Sequence, residues 1–82
     1  MSAGDSQILS RIGELVKEEN QLMNRHREMP LEESEQSRLK EVQVQLDQCW
    51  DLLNQRRALK EFGLDPDQAT VRDPDTVEGY LQ

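Results

Sequence analysis

The sequence predicts an all-α fold: an antiparallel two-helix hairpin with a mostly irregular C-terminal tail, pairing with a second copy into a four-helix bundle. Three observations carry this expectation. Apolar residues recur at three- and four-residue steps in two long stretches that lack proline. A link centred on Pro30 separates the stretches. The apolar stripe on each is broader than a single hairpin seam covers.

The first helix is expected over about residues 5–28. Ile8, Ile12, Leu15, Leu22 and Met29 set its seam, with Glu19 and His26 filling the remaining steps. Leu9, Val16 and Met23 recur every seven residues just beside that line. Asp5 is the expected N-cap, its carboxylate accepting a backbone N–H. Arg25, His26 and Arg27 place positive charge at the C-terminal end, where the helix dipole favours it.

The link is Met29-Pro30-Leu31. Proline has no backbone N–H and disfavours helix at the residue before it. So short a connection makes the helices antiparallel neighbours. Folding about residue 30 sets Leu22 near Leu39, Leu15 near Leu46, Ile12 near Cys49 and Trp50, and Ile8 near Leu53.

The second helix is expected over about residues 31–62. Leu39, Val42, Leu46, Cys49 and Leu53 repeat the seam rhythm, and Trp50 lies beside it. Glu32, Glu33 and Glu35 load its start with acid, while Arg56, Arg57 and Lys60 load its end with base. Gly63 is the expected left-handed residue that ends it. Residues 1–63 then form the hairpin and residues 64–82 an acidic tail. That tail carries Asp65, Asp67, Asp73, Asp75 and Glu78 against the single base Arg72. It is expected to dock on the bundle through Val77, Tyr80 and Leu81, with its acids near Arg56, Arg57 and Lys60.

Composition narrows the function classes. The chain has 82 residues, 34% of them hydrophobic, and 17 acids against 10 bases give a net charge of −7. Such a chain has little room for a substrate cleft walled by its own core. Its charge opposes a phosphate backbone, so no nucleic-acid partner is expected. No stretch approaches the roughly 20 apolar residues that span a bilayer, so no membrane partner is expected either. The N-terminus shows no basic segment followed by an apolar run. Cys49 stands alone, without an internal disulfide partner. Together these features predict a cytoplasmic protein.

The breadth of the apolar stripe predicts self-association. Burial returns about 25 cal/mol per Å² of apolar area, against about 1.5 kcal/mol lost per ordered residue. One coiled-coil-like seam struggles to meet that cost. Leu9, Val16, Glu19, Met23, His26 and Trp50 are therefore the candidate interface of a homodimer. A tetramer and an unidentified protein partner are the alternatives.

Candidate chemistry is sparse. In the hairpin register Cys49 and His26 lie roughly 20–25 Å apart by helix rise, too far for a nucleophile–base pair. Cys49 on the seam reads as a small core hydrophobe. Neither Glu18 nor Glu19 is followed by His three residues on, so the two-metal pattern of helical bundles is missing. Glu19 reads instead as a residue that fixes bundle register. The basic cluster at residues 56–60 reads as dipole complementation plus pairing with Asp5 or tail acids. There is no Gly-rich phosphate loop and no Ser-His-Asp set. No catalytic residue, metal or cofactor is expected. The function expected is that of a non-enzymatic cytosolic interaction or scaffold module. One alternative is an acidic tail that occupies a basic surface on another protein. The other is a small-ligand binder or enzyme with a pocket at the dimer interface near Glu19, His26 and Trp50.

Two segments carry a resemblance: Leu46-Asp47-Gln48-Cys49-Trp50-Asp51-Leu52-Leu53, followed by Gln55-Arg56-Arg57-Ala58, and Val77-Glu78-Gly79-Tyr80-Leu81-Gln82. The chain resembles an uncharacterised actinobacterial family of small acidic helical proteins, a domain of unknown function. The likeness runs from Ile8 through residue 82. It implies no activity, ligand or partner. It does imply that the helix around Trp50 and the tail belong to one design, which favours a docked tail. The secreted helical hairpins with a Trp-x-Gly turn fit poorly, since the turn here is Met29-Pro30-Leu31 and Trp50 lies in mid-helix.

Overall fold

The computed structural model describes residues 4–73. Among these the chain is helical and irregular, without strands: α1 (Asp5–Glu28), α2 (Glu33–Glu61) and a short 3-10 turn, Pro66–Gln68. The two long helices pack as an antiparallel hairpin. Polar contacts between them run from its open end to its bend: Asp5 with Arg56, Arg11 with Gln45, Glu18 with Arg38 and Arg25 with Glu35.

The start of α1 departs from expectation. Gly4 is the N-cap and makes no side-chain cap bond; its carbonyl accepts from the N–H groups of Gln7 and Ile8. Asp5 is the first helical residue. Its carboxylate faces the end of α2 and accepts from Arg56 and Lys60, so it is unavailable as a cap. Met29 ends the helix with extended backbone, φ −157° and ψ 155°, the conformation that a following proline imposes.

Helix α2 starts two residues later than the periodicity suggests, because Leu31 and Glu32 belong to the link. Glu32 is the N-cap of a capping box: its side chain accepts from the Glu35 N–H, and Glu35 Oε1 accepts from the Glu32 N–H at 3.2 Å. Leu31 is buried against the bend, and Gln36 Nε2 donates to its carbonyl at 3.0 Å. At the other end Gly63 has φ 71°, as expected of the residue that reverses the chain. The N–H of Leu64 reaches back to the Leu59 carbonyl at 2.8 Å and that of Gly63 to Lys60 at 3.1 Å. Two orphan carbonyls of the last turn are thereby satisfied.

The core follows the seam. Ile8, Ile12 and Leu15 from α1 cluster with Val42, Leu46 and Leu53 from α2, and Cys49 and Leu52 pack on the cluster's edge. Leu15, Val42 and Leu53 are fully buried. Leu22 and Leu31 extend the apolar contact to the bend. Helix α2 is also covered on its far side, where Asp51 is buried beneath the returning tail.

Candidate functional site

Seam geometry sorts the remaining side chains. In antiparallel helices the residues that follow seam positions fall on one side of the hairpin, and the residues that precede them on the other. Leu9, Val16 and Met23 follow Ile8, Leu15 and Leu22, and Trp50 follows Cys49. All four therefore share one side. They stay 46, 37, 45 and 44% exposed, while the seam residues beside them are buried or half-buried. The intervening positions on α1, Gly13 and Asn20, are uncharged. Helix α2 adds Gln43, Asp47 and Asn54 by the same rule, with Lys40 and Arg57 toward its two ends. The result is a long face that is uncharged along α1 from Leu9 to Met23 and carries Trp50 opposite.

The opposite side is polar and internally bonded. Arg38 clasps Glu18 with two hydrogen bonds, Nε to Oε2 and Nη2 to Oε1 at 2.8 Å, and also reaches Glu41. That guanidinium holds the Glu18 carboxyl below the usual carboxylate range, and Glu18 in turn raises Arg38. Arg11 joins Gln45 at 3.1 Å. Arg25 Nη2 lies 2.7 Å from Glu35 Oε2, an ionic contact rather than an aligned hydrogen bond. These groups already have partners, so this side has less to offer another protein than the apolar one.

Glu19 and His26 sit at the margin of the apolar face. Glu19 is half-buried and has no hydrogen-bond or ion-pair partner among the described residues. Neither Lys17 nor Gln43 engages it. His26 is exposed and lines an open groove of about 440 Å³ at the bend, together with Leu31, Gln36, Leu39, Lys40 and Gln43. Neither Glu19 nor Trp50 lines that groove, so one hairpin does not gather the three residues into a single pocket. Cys49 is half-buried, and burial pushes its thiol pKa up. A thiol so placed is a poor nucleophile.

The basic end of α2 divides its work. Arg56 is buried: its Nε donates to Asp5 at 2.6 Å, and its Nη1 donates to Asp67 at 3.0 Å and to the Pro66 carbonyl at 3.3 Å. Lys60 bonds the other Asp5 oxygen at 2.5 Å. The Asp5 carboxyl is accordingly held below its ordinary range, chiefly by Lys60 and then by Arg56. Arg57 is exposed. Val77, Tyr80 and Leu81, the apolar residues expected to dock the tail, lie outside the described residues.

One cluster escaped the sequence reading. Asp51, 8% exposed in mid-helix, takes both arms of the Arg72 guanidinium at 2.9 and 2.8 Å, and the Gln55 amide at 2.8 Å. Gln55 also donates to the Thr70 carbonyl at 2.8 Å, and Gln48 donates to the Arg72 carbonyl at 3.1 Å. Residues 64–73 thus form a strap along α2, held mainly by polar contacts. The available signal was Gln48, Asp51 and Gln55 on one helical line, paired with the tail's single base.

Among the described residues no three His, Cys, Asp or Glu side chains gather as a metal site, and no helix is long and apolar enough to cross a membrane.

Residues 4–82 match the family model described as "Protein of unknown function (DUF2630)". Uncharacterized proteins of Mycobacterium bovis and Mycobacterium tuberculosis are each 51% identical to the chain over 77 residues, which is 93% of this chain and 88% of theirs. No solved structure matches it.

Proposed function

The chain belongs to the DUF2630 family, and from that premise we propose that it is a non-enzymatic cytoplasmic module that works by self-association. Two hairpins bring their apolar faces together as a four-helix homodimer. The observation that carries this reading is the shared exposure of Leu9, Val16, Met23 and Trp50 on one side of a hairpin whose central seam residues, Ile8, Ile12, Leu15, Val42, Leu46 and Leu53, are buried.

Area and charge both favour a second copy as the occupant. With 24 and 29 residues, the helices run about 36 and 44 Å at the usual rise. Side by side they present a face of roughly 800 Å², about what one partner contributes to a standard interface. A second copy brings an identical surface whose α1 half, Leu9 to Met23, is uncharged, so the strongly acidic chains can meet there with little repulsion. Glu19 has an unused carboxylate at the margin, and a polar group from the sister chain gives it a partner and fixes the register. The cytoplasmic assignment is supported by the single half-buried cysteine, which needs no oxidising compartment.

Sedimentation equilibrium tests the proposal. The expected mass is about twice the chain's 9.6 kDa at micromolar concentration, and Val16→Lys, at an exposed position, is expected to return it to a monomer that unfolds at a lower urea concentration. A wild-type chain that stays monomeric and fully helical throughout the concentration range refutes it.

A further inference from the structure

Trp50 and the groove at the bend lie on the same side of the hairpin. Lys40 and Gln43, two walls of the groove, follow the seam residues Leu39 and Val42, just as Trp50 follows Cys49. The side that carries Leu9, Val16 and Met23 therefore also holds a projecting aromatic and an open groove of about 440 Å³. Trp50 does not line the groove of its own chain. Ten residues, about 15 Å of helix, separate it from Lys40.

Knob and groove are placed as a two-fold axis requires. On α1, Leu9 and Met23 stand seven residues on either side of Val16, about 10 Å each way. On α2, the midpoint of Trp50 and Lys40 is residue 45. The two centres coincide, because Leu15 clusters with Val42 and Leu46, which sets Val16 level with about residue 44. One dyad at that level, perpendicular to the helices, relates Leu9 to Met23, Val16 to itself and Trp50 to the groove. A two-fold contact is self-complementary in this way.

The other simple dyad runs along the helices and sets both bends at one end. It lays α1 of each hairpin against α2 of the other. Met23 then meets Lys40, and Val16 meets Gln43 and Asp47, so apolar side chains face polar ones. Both grooves stay open. Opposed bends instead lay α1 against α1, where the face is uncharged from Leu9 to Met23, and α2 against α2. The partner's Asp47 and the partner's Trp50 then come within about a turn of Lys40. Unlike charge and the negative face of an indole both favour a cation there.

Resting on the homodimer proposed above, we infer that the two hairpins pair with their bends at opposite ends, and that the partner's Trp50 enters the groove lined by Leu31, Leu39 and Lys40. Each chain supplies one knob and one groove. The groove at the bend is complete only in the dimer, and the knob that one hairpin leaves exposed is covered only there.

Two labels on the full chain, each in a Cys49→Ala background, test the arrangement. A nitroxide at Glu28→Cys marks the end of α1, outside the contact. Opposed bends place the two labels twelve residues on either side of the dyad, roughly 36 Å apart. Bends at one end place them within about 25 Å, the width of a bundle with its labels. Pulsed dipolar spectroscopy is expected to read the longer distance. The shorter distance, in a sample that sediments as a dimer, overturns the inference and leaves self-association standing. Absence of dipolar coupling in a sample that sediments as a monomer overturns both. A nitroxide at His26→Cys, in the groove, is expected to quench Trp50 emission at least twofold, although the two sites of one chain lie more than about 20 Å apart along the hairpin. Adding Val16→Lys is expected to restore the emission. Unquenched emission in a dimeric sample removes Trp50 from the groove and overturns the inference.

Discussion

Replacing Arg72 with alanine probes how far the strap supports the hairpin. Asp51 is a buried carboxylate, and Arg72 supplies two of its hydrogen bonds, both under 3 Å. Removing one member of a fully buried pair costs about 3–5 kcal/mol, because a charge is left without a partner. Here the Arg72 side chain is 44% exposed, so water fills part of the vacated space. Gln55 also keeps its bond to Asp51. The expected loss is therefore about 2 kcal/mol, less than the buried limit and more than a surface pair gives. For a domain of this size that lowers Tm by roughly 8–16 °C. Urea and thermal unfolding followed by circular dichroism measure it. The double substitution Arg72→Ala with Asp51→Ala should cost clearly less than the sum of the single changes, since no carboxylate is then left stranded. An Arg72→Ala chain as stable as wild type within about 0.3 kcal/mol would show that the strap does not shield Asp51, and the account of that cluster would fail.

Other perturbations test other parts of the fold. Asp5 and Glu18 both have carboxyls held below their ordinary range, so the native chain binds protons less readily than the unfolded one. Their contribution is present at neutral pH and is lost as pH falls below about 4 toward the lowered native values. Urea midpoints should drop through that window, and Asp5→Asn with Glu18→Gln should flatten the drop. Leu15→Ala empties a fully buried position and should cost about 3 kcal/mol by the same unfolding assay. Gly63→Ala places a Cβ on backbone at φ 71°, and should cost about 1 kcal/mol although no neighbouring atom obstructs it.

The hairpin was legible because its signals are local and redundant. The seam spacing, the Met29-Pro30 break and Gly63 each bear on one helix face or end, and they agree. Arg56 was readable as a partner for Asp5 or tail acids, because its helix-end placement and the acidic surroundings both favour pairing. The caps were harder. Glutamate is an uncommon N-cap, so Glu32 was read as first-turn charge rather than as half of a box with Glu35. Asp5 has the side chain of a good cap, yet a contact 51 residues away in sequence takes its carboxylate. Asp51 was the hardest to see. A charged residue on the outer line of a helix ordinarily faces water, and only the returning strap makes it interior. The exposed face was anticipated from breadth alone: Leu9, Val16, Met23 and Trp50 exceed what one seam holds, and that surplus remains at the surface.

Arg56 also governs where this molecule comes apart. A two-helix hairpin is pinned at its bend by the chain itself, and its free mouth is ordinarily the place where unzipping starts. Here the mouth is riveted. One guanidinium grips the beginning of α1 and the short turn after α2 at once, so opening the mouth breaks contacts to both. That raises the cost of fraying at the mouth above the loss of one surface pair.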